Sequence, residues 1–179
     1  MSTDATMSTA PPRPRSSAPA LRFDLVGGGP WDLAEQAPRH FTMVVFYRGR
    51  HCPVCASQLA AVDERDGQLR ELGVEAIAVS ADDEGRATRS RAEWGISRIP
   101  MGYGLDLPTM RSWGLFVSKS TTEEEAEHFA EPATFLVTPS HDIYYASLTS
   151  MPFGRPQIDE LMGGIEFVTG SGYPGRGDR

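Results

Sequence analysis

The chain carries two cysteines, Cys52 and Cys55, separated only by Pro53 and Val54. Cysteines this close cannot staple distant parts of a fold, as the disulfides of small secreted domains do. They can close and reopen a small ring and so carry two electrons. In that chemistry Cys52 attacks an electrophilic sulfur or a peroxide oxygen, and Cys55 resolves the intermediate. Arg48, Arg50 and His51 stand just before the pair and can add positive charge. A protonated imidazole at His51 would stabilise a thiolate at Cys52, a neutral one would move a proton, and an exposed one would do neither.

Two plainer readings compete with redox chemistry. A structural zinc site needs four ligands, and His40, His51, His128 and His141 are scattered without the spacing that would supply the other two. Inert buried cysteines are the second, since a free thiol packs like a small hydrophobe.

The flanking sequence favours a working dithiol. Residues 41–47 form an almost unbroken apolar, β-branched and aromatic run, the pattern of a strand covered on both faces. Residues 53–72 place Val54, Leu59, Val62, Leu69 and Leu72 at helical spacing before Gly73, which predicts one long amphipathic helix with a glycine cap. Cys52 then falls at the helix start, where free N–H groups and the helix dipole favour a thiolate. Pro53 suits the first helical position because its missing N–H has no partner there.

Residues 21–26 read as an edge strand ended by Gly27-Gly28-Gly29-Pro30, a turn lacking the Lys-Ser/Thr of a nucleotide loop. Residues 74–80 read as a second buried strand, followed by a helix capped at Asp82 or Asp83 and running to Trp94. Residues 107–114 suggest a short helix, and the acidic residues 123–127 a solvated loop or helix face. Residues 133–138 and 143–148 read as an antiparallel hairpin, and 156–168 as the last helix. A β-α-β-α start followed by β-β-α predicts an α/β fold with a central mixed sheet and helices on both faces. Trp94 and Trp113 are expected to plug the core, and 151–153 to form an apolar lip or a loop anchor.

The 179 residues fit one domain, and a formal net charge of −7 argues against a nucleic-acid partner. No apolar run approaches the roughly 18–20 residues that cross a bilayer. Residues 1–20 are Ser-, Thr-, Ala- and Pro-rich, predict a disordered tail with no signal-peptide core, and include Met7 as an alternative start. The expected location is cytoplasmic. Residues 21–170 would form the domain and 171–179 a short tail.

The turn Tyr47-Arg48-Gly49-Arg50-His51-Cys52-Pro53-Val54-Cys55, the strand and Asp of 74–82, and Pro132-Ala133-Thr134-Phe135-Leu136-Val137 together resemble the AhpC/TSA (peroxiredoxin-like) family of the thioredoxin-like superfamily, over residues 21–168. The resemblance implies a thioredoxin-like fold and antioxidant thiol chemistry. It also implies that Cys52 is the peroxidatic cysteine, Cys55 the resolving one, and Pro132 a cis-proline facing them. A proline opening an edge strand is the alternative for Pro132.

Gly49 and Val45 stand where that family carries threonine and proline. Its peroxide-polarising arginine would fall near Pro132, so Arg48 or Arg50 is the candidate substitute. Glu131 reads as a proton acceptor near the resolving sulfur or as an exposed carboxylate.

Three functions remain open. The first is a peroxidase recycled by a thioredoxin-type dithiol, the second a protein-disulfide oxidoreductase, and the third a redox-sensing interaction module. No cofactor or metal is indicated, and homodimerisation stays open.

Overall fold

The computed structural model describes residues 10–179. Met7 and the first part of the expected tail lie outside the described residues. The strands are β1 (Arg22–Leu25), β2 (Pro30–Asp32), β3 (Phe41–Phe46), β4 (Val74–Val79), β5 (Met101–Tyr103), β6 (Val117–Lys119), β7 (His128–Ala130), β8 (Ala133–Val137) and β9 (Ile143–Leu148). The helices are α1 (Pro53–Glu64), α2 (Asp66–Glu71), α3 (Glu84–Glu93), α4 (Leu107–Ser112) and α5 (Ile158–Ser171).

Seven strands form one mixed sheet in the order β2-β1-β5-β4-β3-β8-β9, and β6 and β7 form a separate hairpin. β3 pairs with β4 in parallel and with β8 antiparallel. All six residues of β3 are buried, because each face has its own cover. Phe41, Met43, Val45 and Tyr47 pack with Cys55, Leu59, Val62, Leu69 and Ile165 beneath α1, α2 and α5. Val44 and Phe46 point the other way, onto Trp113, Met110 and Phe135 at α4 and β8. The period of two along the strand thus feeds two apolar layers, and Trp113 and Trp94 take the expected packing roles against Phe46 and Tyr47.

The expected long helix is broken. Arg65 leaves helical geometry between α1 and α2, its N–H turning to Val62 O at 3.1 Å. Nearby, the Asp63 carboxylate leaves the helix to accept from the N–H groups of Ser97, Arg98 and Ile99 at 3.1, 2.7 and 2.9 Å. Periodicity registers only the apolar face, so this tether is invisible to it. β5 and the β6–β7 hairpin, each strand three residues long, also fall below what alternation can mark. β1 lies inside the sheet, with β2 outside it.

Residues 15–18, expected within a disordered tail, are laid along the start of β9. Arg15 N donates to Ile143 O (2.7 Å), Ile143 N to Ser16 O (2.9 Å) and Ala18 N to His141 O (2.8 Å). Their composition offers no core residues, but β9 is an edge strand whose unpaired backbone groups accept a neighbour of almost any sequence.

Candidate active site

β3 and the first turn of α1 place the cysteines. Tyr47 N still donates to Val79 O at 3.1 Å, so the chain leaves the sheet only after Tyr47. It reverses at Gly49, whose φ of +132° is open to glycine and strained for other residues. Cys52 N donates to Gly49 O at 3.1 Å, closing the turn. Cys52 is the N-cap of α1, and Pro53 follows in the first turn. Its sulfur does the work that a serine or aspartate oxygen does at other helix starts, accepting from Cys55 N at 3.2 Å. Both thiols are free, and they are nearly sealed from solvent, Cys52 at 1% exposure and Cys55 at 0%. Only a small oxidant, or an opening of the loops above, reaches them.

One cation touches both sulfurs, and it comes from the far end of the chain. Arg155 Nη2 lies 3.2 Å from Cys55 Sγ and 3.5 Å from Cys52 Sγ. Its fork is held in place by Gln58 Oε1 (2.6 Å from Nη1) and by Pro152 O (2.7 Å from Nε). The two thiols nevertheless differ in acidity, for reasons of burial and of their own mutual hydrogen bond. Cys52 is pulled well below the usual thiol range by the hydrogen bond from the Cys55 side chain, with the Cys55 backbone N–H and Arg155 adding to it against the cost of burial. Cys55 is pushed up, first by burial and then by the neighbouring Cys52. One thiolate and one thiol side by side are what a nucleophile and its resolving partner require.

The sequence-derived candidates divide. Cys52 and Cys55 lie together as expected. Arg48 turns away: its Nε lies 3.1 Å from Glu131 Oε2, an ion pair not aligned as a hydrogen bond, and its guanidinium sits over the Phe129 ring at 5.1 Å. Arg50 is engaged by both carboxylate oxygens of Glu93. Glu131 is buried rather than an exposed loop carboxylate, and accepts from Ser118 Oγ at 2.7 Å as well as facing Arg48. His51 packs edge-on to Phe129, with Nε2 3.7 Å from Glu125 Oε1, so one residue of the acidic run is tied to the cysteine turn.

Pro132 is not cis, since the described residues contain no cis peptide bond. It leads directly into β8 in an extended chain, its carbonyl accepting from Thr149 N at 3.0 Å across the β8–β9 pairing. It opens a strand, as the alternative expected, but an interior one, since β8 lies between β3 and β9.

Sequence reasoning missed Arg155. It lies about a hundred residues beyond the cysteines in a Gly-Arg-Pro context that marks a loop and nothing more. Only the return of the chain through β8 and β9 brings it back over α1. The same loop lines a cavity of about 280 Å³ with Pro152, Phe153 and Arg155 on one side and Val45, Val54, Gln58, Val62 and Thr134 among the residues on the other. Phe153, which lines it, and Met151 two residues before are 62% and 55% exposed, while the Pro152 carbonyl holds Arg155 in place.

The chain as a whole has counterparts among known proteins. The sequence profile of the AhpC/TSA family matches residues 14–146. The chain belongs to the AhpC/TSA family. Among curated relatives, a probable peroxiredoxin of Caenorhabditis elegans, prdx-3, is 24% identical over 163 residues, covering 88% of this chain and 70% of the relative. The chloroplastic 2-cysteine peroxiredoxin of Chattonella marina var. antiqua is 24% identical over 138 residues, 76% of this chain and 68% of the relative. Among solved structures, Mycobacterium tuberculosis AhpC superposes with a TM-score of 0.72 at 18% identity, covering 89% of this chain and 94% of that one. Enterococcus faecalis AhpC gives 0.70 at 22%, covering 90% and 96%. The fold is thioredoxin-like, and membership of the AhpC/TSA family makes the chain a thiol-dependent antioxidant oxidoreductase. Gly49 stands three residues before Cys52, and the guanidinium in contact with the sulfurs is that of Arg155, while Arg48 turns to Glu131.

Proposed function

We propose that the protein is a peroxidase in which the Cys52 thiolate attacks the terminal oxygen of a hydroperoxide. The O–O bond breaks, the leaving alkoxide or hydroxide takes up a proton equivalent to the one the Cys52 thiol had lost and departs as alcohol or water, and Cys52 becomes a sulfenic acid. The Cys55 thiol then gives up its proton and attacks Cys52, forming the disulfide and releasing water. A cellular dithiol of the thioredoxin type, in a reducing compartment such as the cytoplasm, exchanges with the disulfide and restores the pair. The observation that carries this reading is the guanidinium of Arg155 against both sulfurs at the start of α1, where Cys52 Sγ also accepts from Cys55 N. Arg155 is also the group placed to polarise the peroxide. Both sulfurs and the guanidinium belong to one chain.

The near-closure of the cysteines favours a small peroxide over a folded disulfide partner as the first substrate. The adjoining cavity, mostly apolar with Arg155 at its edge, has room for the body of an organic hydroperoxide. The test is the second-order rate of the reduced protein with hydrogen peroxide and with cumene hydroperoxide, with Cys52→Ser and Cys55→Ser as controls. Rates orders of magnitude above a free thiol, abolished by Cys52→Ser alone, are expected. Rates like those of an ordinary low-pKa thiol, together with rapid exchange with protein disulfides, would replace this function by disulfide exchange.

A further inference from the structure

Arg155 is a cation whose counter-charge exists in only one redox state of the dithiol. Among the described residues no carboxylate pairs with its guanidinium, whose acceptors are Gln58 Oε1, Pro152 O and the two sulfurs. Of these only a thiolate carries charge. Disulfide formation takes two electrons and one proton from a thiolate and a thiol, so the negative charge against the guanidinium disappears. Arg155 is half-buried, and a cation held out of water by neutral acceptors alone is costly.

The same side chain ties its loop to the site. Thr149 anchors one end of the loop, its N–H donating to Pro132 O at 3.0 Å, and α5 begins at Ile158 at the other. Between them, among the described residues, every hydrogen bond from 151–156 to α1 or the cysteine turn is made by Arg155. The cavity of about 280 Å³ that the loop lines leaves it little packing to lose. At Gly154, with a φ of +73°, nothing stands within 4 Å of the place a Cβ would take, so the loop is unobstructed there. Glu160, in the first turn of α5, lines a second groove together with Arg155, and offers the released guanidinium the carboxylate that the dithiol site lacks.

The closed loop suits oxidation by a small peroxide but not recycling. Cys52 and Cys55 are sealed, and a protein dithiol has to bring a third sulfur onto one of them. The loop whose guanidinium rests on both sulfurs carries Met151 and Phe153, two of the five large hydrophobic side chains exposed among the described residues. Methionine and aromatic side chains are favoured at protein interfaces.

We propose that Arg155 couples this loop to the redox state of the dithiol: the thiolate holds it shut, the disulfide releases it, and the released Met151-Pro152-Phe153 segment is the docking surface for a protein dithiol with an apolar rim around its cysteines. The partner's thiolate attacks one sulfur and the other leaves as a thiolate. The partner's second thiol then displaces the mixed disulfide, its proton passing to the sulfur it frees, so the partner departs as a disulfide and the pair is again one thiolate and one thiol. The returning charge draws Arg155 back. This deepens the recycling step described above and rests on that dithiol, but not on peroxide being the oxidant.

The test compares limited chymotrypsin cleavage at Phe153–Gly154, read by mass, in the reduced protein and in the disulfide form made with diamide. Cleavage is expected to be at least about tenfold faster in the disulfide form, as for loss of a charge-assisted hydrogen bond. Arg155→Gln is expected to be cut fast in both forms, and Cys52→Ser, which has no thiolate at position 52 and forms no disulfide within the pair, as fast as the oxidised wild type. Equal rates in the two wild-type forms overturn the coupling, and so does a Cys52→Ser protein as resistant as the reduced wild type. Docking is read from the rate at which reduced thioredoxin or dithiothreitol reduces the disulfide of a Met151→Ser/Phe153→Ser double variant. The thioredoxin rate is expected to fall about tenfold, as for loss of interface anchors, with the dithiothreitol rate changed less than about twofold. A thioredoxin rate that is unchanged, or two rates that fall together, overturns the docking surface. Because diamide forms the disulfide, a protein inert to peroxide still answers both questions, so failure of this proposal and failure of the peroxidase reading are distinguishable.

Discussion

At the scale of single residues, the proposed peroxidase rests on Cys52 and on the Arg155 guanidinium beside it. A charge-assisted hydrogen bond to a thiolate is worth about 1.5–3 kcal/mol, so Arg155→Gln is expected to raise the Cys52 pKa by about one to two units and slow its oxidation at neutral pH at least about tenfold. The pH dependence of iodoacetamide labelling measures this directly. In the wild type the Cys52 rate climbs through a midpoint well below the free-thiol value of about 8.5 and is flat above it, while Cys55 stays unreactive. A Cys52 midpoint unmoved in Arg155→Gln would show that the helix start alone holds the thiolate. Gly49→Ala puts a Cβ against the Asp82 carboxyl at a φ of +132°, and a loss of about 1–3 kcal/mol in chemical denaturation is expected from that strain. The cysteines, His51 and their helix start were legible because adjacency in sequence is adjacency in space there. Arg155 was not, because nothing local distinguishes a loop arginine that touches a sulfur from one that faces solvent. Arg48 was misread for the complementary reason, since proximity in sequence does not say that the side chain turns to Glu131 and Phe129.

At the scale of elements, the end of α1 is tied to the 97–99 turn by Asp63, and the tie is electrostatic. Burial raises the Asp63 pKa, but the N–H groups of Ile99, Arg98 and Ser97 together outweigh it and the net shift is downward. A carboxyl lowered in the folded state contributes stability that is fully present above its unfolded pKa of about 3.9 and is lost as pH falls through the lower folded value. Asp63→Asn is therefore expected to cost about 2 kcal/mol at neutral pH, with the gap to wild type closing in denaturation curves taken at progressively more acid pH. An undiminished gap in strong acid would contradict the assignment. Leu59, fully buried on the inner face of α1, supplies an apolar counterpart, and Leu59→Ala is expected to cost about 2–5 kcal/mol with little pH dependence. The apolar runs of β3, β4, β8 and β9 and the helical spacing of α1 disclosed the elements in advance. The break at Arg65 did not show, because it serves polar partners more than thirty residues away. The three-residue strands did not show because their pairing, and not their composition, makes them strands.

At the scale of the whole molecule, the order of strands explains why a site can form at all. Placing β3 between β4 and β8 buries the strand that delivers Cys52 on both faces and leaves its C-terminal end free to turn into α1. The antiparallel return through β8 and β9 carries the 151–156 loop back over the same end, so the guanidinium and the sulfurs meet from opposite halves of the chain. Among the described residues, no helix is long and apolar enough to cross a membrane. The mixed sheet with helices on both faces followed from the alternation of elements in the sequence. The meeting of Arg155 with Cys52 required the closed fold, and the peroxidase account stands on that meeting. Its most direct test is the mass of Cys55→Ser after one equivalent of hydrogen peroxide and a sulfenic acid trap, beside wild type treated alike. The account predicts a single trapped sulfenic acid on Cys52 in the variant, formed much faster than on a free thiol, and an intramolecular disulfide with no adduct in the wild type. Adducts on Cys55 in Cys52→Ser at a comparable rate, or no oxidation of either cysteine, would contradict it.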